Sequence, residues 1–142
     1  TQPHERYRIK NLYIKKKAKL RKILNEDEFV KDLVVLGFTI LYMEDLTYEE
    51  QVSYTSRAST LVSLHGAGLT HMLFMPQSSR VIEIRAEDDT HNNCYYSLAS
   101  DLNHDYFYVF AKSVDKSKTT GEADFLFHEN FVDEIKGIIE YE

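Results

Sequence analysis

The sequence predicts an α/β domain with a mainly parallel sheet and helices on both of its faces. Three observations predict it. Short aliphatic or β-branched runs alternate with amphipathic helical stretches about five times along the chain. Two of those runs, "LVSL" and "RVIEI", are apolar at nearly every position, as strands covered on both faces require. The 142 residues are enough for one real core and too few for two comfortable ones, so a single domain over residues 1–142 is expected.

The elements follow in order. "YRIKNLYIKK" alternates apolar and polar around Ile9, Leu12 and Ile14, which predicts a strand near residues 8–16. A basic loop comes next. "NEDEFVKDLVVLGF" then predicts a helix, with Asn25 as N-cap, Glu28 completing a capping box, and Gly37 at the C-terminal end. Phe29, Val30, Leu33 and Val34 form its apolar face. "FTILYME" is a second strand, and "TYEEQVSYTSRA" a helix with Thr47 and Glu50 as the capping pair. "STLVSLH" is a third strand, and "AGLTHMLFM" a short helix that Pro76 ends. "RVIEIRA" is the fourth strand, "NNCYYSLASDL" a helix, and "DYFYVFAKS" the fifth strand, whose aromatic residues are most simply core. Residues 114–124 are polar and read as a loop, and "ENFVDEIKGIIEY" is a last helix.

Composition is that of a globular protein, with 43% hydrophobic and 28% charged residues. No apolar run approaches the roughly 20 residues that span a bilayer. The first residue is Thr1, not Met, and no signal peptide is present, so a piece of a longer chain is expected, with targeting information elsewhere. The single cysteine, Cys94, excludes an internal disulfide; among apolar helix neighbours it is expected to be packed, not reactive. The net charge of −6 hides a split. Residues 1–22 hold nine Lys or Arg against one acid, Glu5, while the other 120 residues hold 22 acids against eight bases. A basic segment on an acidic body points to a local anion site and away from a nucleic-acid surface, with a solvated lysine run as the plain alternative.

In open parallel sheets ligands bind beyond the carboxyl ends of the strands. Three stretches should gather there: the basic loop after the first strand, "HGAG" after the third, and Glu83 with Arg85 on the fourth. Gly66 and Gly68 let the backbone turn and approach a ligand closely, and the helix after them aims free N–H groups at the same place, so a phosphate is the natural guest. Tight helix–sheet packing would also call for these glycines. The loop is neither a Walker loop nor a full dinucleotide fingerprint. Of Lys15, Lys16, Lys17, Lys19, Arg21 and Lys22, one or two suffice as phosphate ligands and the rest are expected in solvent. Glu83, acidic amid apolar neighbours, needs a partner: either ribose hydroxyls or an arginine. His65 either donates to a phosphate or does acid–base work, or it braces the turn. His71, one turn into the helix, is expected to be structural or rim-facing. No metal is expected, because neither His65 with His71 nor Asp88–His91 has a recognised ligand spacing.

The stretches "YIKKKAKLRKILNEDEF", "EEQV", "LVSLHGAGLTHMLFMP", "RVIEI" and "NNCYYSLASDLNHDYFYV" resemble, in order and spacing over roughly residues 8–112, the catalytic region of glycosyltransferase family 61. The resemblance implies a Rossmann-like three-layer domain, the carboxyl-terminal, donor-binding half of a GT-B architecture. It implies inverting transfer of a sugar from a nucleotide diphosphate, a UDP-sugar first among them, to a carbohydrate or protein hydroxyl. No further cofactor and no nucleic acid are implied. The partners implied are the nucleotide sugar, the acceptor and the protein's own amino-terminal domain. That domain would supply the acceptor site and the catalytic base, so this fragment alone would be inactive. Bacterial relatives act in capsule or other surface polysaccharides and would be cytoplasmic or membrane-associated. Eukaryotic ones work in the secretory pathway, adding N-acetylglucosamine or xylose in the ER or Golgi lumen. Carried over by position, the nucleotide-sugar site would be Lys16, Arg21, Asn25, His65, Gly66, Ala67, Gly68, Leu69, Thr70 and Glu83, with His65 the one catalytic candidate and Glu83 on the ribose. Lys16 stands where the family usually has Arg, which keeps charge and loses bidentate geometry.

Three other readings compete, one of them nucleic-acid binding through the basic stretch, against which the acidic body and the place of the basic residues beside the phosphate loop count. "HGAG" resembles the oxyanion-hole motif of esterases, but no G-x-S-x-G elbow accompanies it. A non-catalytic nucleotide- or protein-binding module would share the loop without the chemistry.

Overall fold

β1 (Asn11–Lys15) lies inside the sheet, between β2 (Phe38–Tyr42) and β3 (Thr60–Leu64), and both pairings are parallel. The computed structural model describes residues 10–17, 19–89, 92–114 and 123–141. β4 (Arg80–Ala86) and β5 (Asp105–Ser113) continue the parallel pairing outward, and β6 (Phe125–Phe127) closes the edge antiparallel to β5. The result is an α/β fold with a mixed six-stranded sheet in the order β2-β1-β3-β4-β5-β6. The chain steps one way from β1 to β2 and the other way from β3 onward. That reversal opens a crevice at the carboxyl ends of β1 and β3.

Alternation along the strands creates two cores. Tyr13, Val62, Ile82, Ile84 and Val109 pack on one face with α1 (Glu26–Val35) and α4 (Phe131–Ile139). Leu12, Ile14, Leu61 and Val81 pack on the other with a 3₁₀ helix, Ala67–Phe74, and α3 (Cys94–Asp101). α2 (Tyr48–Ser56) lies on this second face, where Tyr54 packs against the same cluster. Each fully buried Leu, Ile or Val here contributes about 1.5–3 kcal/mol.

Local signals explain most boundaries. Thr47 and Glu50 form the predicted reciprocal cap, with Glu50 N–H on Thr47 Oγ1 at 3.1 Å and Thr47 N–H on Glu50 Oε1 at 3.0 Å. Gly37 follows α1 at φ 94°, a left-handed stop that suits glycine.

Other expectations need correction. Asn25 precedes α1 but its side chain caps nothing. Its amide instead grips the backbone of Phe127, accepting from the N–H at 2.9 Å and donating to the carbonyl at 3.1 Å. β6 was not visible in the sequence, because three residues are too short for a period to register; the polar stretch expected before it falls largely on residues 115–122, outside the described residues. The segment after "HGAG" is 3₁₀, not α. The Thr70 hydroxyl donates to the Ala67 carbonyl at 2.6 Å, and His71 Nδ1 bonds the Gly68 carbonyl at 2.8 Å, both three residues back. Tyr108 and Phe110 are not core: α3 covers Tyr106 and stops short of them. Cys94 is exposed at the start of α3, not packed.

Candidate functional site

On the second face, the strands change character toward their carboxyl ends. Leu61 and Val81 are apolar, and two residues on stand Ser63 and Glu83, and two further His65 and Arg85. A period of two therefore carries a buried polar cluster to the carboxyl-terminal edge of the sheet.

Glu83 is fully buried. Its Oε2 meets His65 Nδ1 and its Oε1 accepts a hydrogen bond from the Tyr106 hydroxyl. Arg85 Nη1 stands 3.8 Å from Oε1. Burial, then the hydrogen bond to Glu83, pushes the Tyr106 phenol well above its ordinary pKa, so it stays a donor. Arg85 is held in turn by Asp89 at 2.9 Å and Asn93 at 2.8 Å. The His65 ring also meets Tyr95 edge-on at 5.1 Å. Glu83 thus holds the imidazole in one orientation, and sequence reasoning missed Tyr106 and Tyr95 as its partners. Neither carries a motif; only the diagonal reach from β5 and the placement of α3 bring them in.

The cations sort themselves. Lys15 pairs with Asp27 at 2.8 Å and Lys17 with Asp45 at 2.5 Å, so these two are ion-paired and not simply in solvent. Lys16 and Arg21 instead converge above Gly66. A Cβ placed on Gly66 would sit 3.3 Å from Lys16 Nζ and 4.0 Å from Arg21 Nη1. Burial, then the Arg21 charge, lowers the Lys16 pKa, and burial lowers that of Arg21 while the Asp89 charge opposes the change. Lys16 is exposed and Arg21 half-buried, and two like charges drawn together are what an anion between them would relieve.

Arg21 itself is in the left-handed region at φ 59°, a strained setting for a long side chain. The surroundings enforce it. Lys22 N–H bonds Asp124 Oδ1 at 2.9 Å, Phe125 N–H bonds the Lys22 carbonyl at 2.7 Å, and Leu24 N–H bonds the Phe125 carbonyl at 2.9 Å. The basic loop is strapped to β6, a hundred residues away, and Arg21 Nη2 reaches the His65 carbonyl at 2.9 Å. Beside it opens a cleft of about 420 Å³ whose walls include Lys16, Lys19, Arg21, Lys22 and Ser63.

The two glycines divide the work. Gly66, at φ 150° and ψ −168°, occupies backbone space that is nearly glycine-only, under the two cations. Gly68 serves packing: a Cβ there would come within 2.6 Å of Ser63 Oγ. Gly66→Ala is therefore expected to cost about 1–3 kcal/mol in strain and to displace the Lys16 ammonium. Urea unfolding of the variant beside the parent measures this.

Of the other predicted positions, Ala67 and Thr70 are exposed at the loop, while Leu69 is buried in the second core and faces no ligand. Asn25 is committed to Phe127. His71 is half-buried and ties the 3₁₀ helix to Gln51 of α2 at 3.1 Å. Among the described residues no group of three or more His, Cys, Asp or Glu could hold a metal.

Comparison with known proteins shows the family. Residues 2–82 match the family model described as Glycosyltransferase 61. The EGF domain-specific O-linked N-acetylglucosamine transferase of Drosophila melanogaster is 34% identical over 100 residues, 68% of this chain and 18% of the relative. Its Xenopus laevis counterpart is 33% identical over 102 residues, covering 68% and 19%, and that of Mus musculus 33% over 98 residues, covering 65% and 18%. The chain spans under a fifth of the length of these relatives. The matched stretch carries β1, the basic loop and the HGAG loop, the elements that build the cation site, and the chain belongs to the glycosyltransferase 61 family.

Proposed function

We propose that this chain is the donor-binding half of a glycosyltransferase, a Rossmann-like half of a GT-B architecture that holds a nucleotide-diphosphate sugar for inverting transfer to a hydroxyl. The observation that carries the reading is the convergence of Lys16 and the strained Arg21 over Gly66 at the strand-order reversal. The diphosphate lies against these two cations and the backbone of the loop. Arg21 offers a planar fork and Lys16 a point charge to oxygens that gain charge as the sugar leaves. UDP-N-acetylglucosamine is the first donor to test, following the names of the relatives, and a protein or glycan hydroxyl the acceptor.

Glu83 enters through His65. A buried carboxylate on Nδ1 fixes the ring and favours a proton there, which sets the tautomer beside the leaving phosphate. The ribose role expected for Glu83 gives way to this positioning role, since both its oxygens are engaged and neither reaches solvent. The acceptor hydroxyl is deprotonated by a base from outside the chain.

Calorimetric titration of the full-length protein with UDP and UDP-N-acetylglucosamine tests the reading. Micromolar binding of both is expected, and no uptake of either would overturn it.

A further inference from the structure

Beyond the phosphate cleft, one surface is unassigned. Tyr106, Tyr108 and Phe110 share a face of β5, and Tyr96 of α3 meets Tyr106 edge-on at 5.4 Å. Tyr108 and Phe110 meet at 5.3 Å. Tyr96, Tyr108 and Phe110 are 52%, 55% and 43% exposed, so a row of ring surface faces outward. It borders a hollow of about 480 Å³ whose other walls, among the described residues, are Arg85, Glu87, Asp89 and Asn93. That size is within the range of small-ligand sites.

The wall is rigid. Asp89 and Asn93 hold the Arg85 guanidinium, and Glu87 pairs with His128. Glu87, 46% exposed, and the exposed Asn93 amide suit sugar hydroxyls, while Asp89 is buried on Arg85; the acids disfavour a phosphate, which has the cationic cleft beyond Gly66. Flat rings beside fixed carboxylates and amides match a ring with an apolar C–H face and hydroxyls at its edge. The hollow also touches the transfer centre, because Tyr106 lines it and bonds the same carboxylate that holds His65.

We infer that the Tyr96–Tyr108–Phe110 shelf is a subsite for a neutral sugar ring, either that of the donor or that of the acceptor. This rests on the transferase reading for its place in the reaction, but its binding can be measured separately.

The test uses saturation-transfer NMR on the full-length protein, irradiating aromatic protons, with free N-acetylglucosamine as probe. Transfer to the sugar's ring protons is expected in the parent. It should vanish in a Tyr108→Ala/Phe110→Ala double variant and persist in Tyr108→Phe. Calorimetry with UDP should stay within about twofold in the double variant, which also reports a correctly folded cleft. A donor ring on the shelf lowers UDP-N-acetylglucosamine affinity about tenfold in that variant. An acceptor ring leaves donor affinity unchanged and raises the acceptor KM by about the same factor. Either result supports the subsite and names its occupant. Absence of transfer to the sugar in the parent, as when another part of the protein covers the shelf, overturns it. So does a loss of UDP affinity equal to the loss for the nucleotide sugar, which would place the base there. If the parent binds no UDP, the transferase reading fails, and the free-sugar measurement still decides the shelf.

Discussion

Arg21→Ala is expected to weaken UDP binding by about 100-fold or more, while leaving the protein folded. Charge-assisted hydrogen bonds of the kind a guanidinium makes to phosphate are worth about 1.5–3 kcal/mol each, and a bidentate fork makes two. The structural losses are smaller. One hydrogen bond to the His65 carbonyl goes, and a ring contact with Phe125 at 5.9 Å. The left-handed backbone stays, because Lys22 and Leu24 are still bonded to the β6 segment. Arg21→Lys should fall between, keeping the charge and losing the fork. Titration calorimetry with a thermal melt of each variant separates affinity from stability. An Arg21→Ala protein that binds UDP as tightly as the parent would remove Arg21 from the site and the main support of the functional reading.

Glu83→Ala should have the largest effect on stability, about 3–5 kcal/mol, because it strands partners that burial has already stripped of water. The His65 Nδ1–H and the Tyr106 hydroxyl both lose their acceptor, and Arg85 loses a nearby charge. Domains of this kind have only about 5–15 kcal/mol in hand, so partial unfolding at ambient temperature is expected. Glu83→Gln is the informative companion. It keeps the shape and an acceptor oxygen, so it should cost about 1–3 kcal/mol and stay folded. Glycosyl transfer by the full-length protein should nevertheless drop in Glu83→Gln, since an amide no longer favours the Nδ1–H tautomer. Urea denaturation gives the stabilities. Activity equal to the parent's in a folded Glu83→Gln protein would reduce Glu83 to a core brace.

Much of this was legible in the chain. The alternation of strand and helix patterns gave the α/β class, and parallel strands buried on both faces left continuous apolar runs such as "LVSL". The Thr47–Glu50 cap and the Gly37 stop are local chemistry, complete within four residues, and so they appear in sequence and structure alike. "HGAG" pointed to its own place because a strand end followed by glycines has few uses. The errors share a cause. Asn25 had the right identity for a cap, yet a backbone strand 102 residues away offered its amide both a donor and an acceptor. Tyr108 and Phe110 looked like core because a strand's pattern does not say how far the covering helix extends.

By itself the sequence determined the class of fold, the order of its elements and the two loops that meet at the strand ends, since those depend on periodicity and on residues near one another in the chain. The tertiary structure alone decided which of six neighbouring cations meet over Gly66. Lys15 and Lys17 met carboxylates on α1 and beside β2, while the β6 segment turned Arg21 into a left-handed backbone and aimed it, with Lys16, over Gly66. It alone also chose the partners of Glu83. Charge, burial and hydrogen bonding act through space, and a strand neighbour or a strap from the far end of the chain leaves no local mark in the sequence it positions.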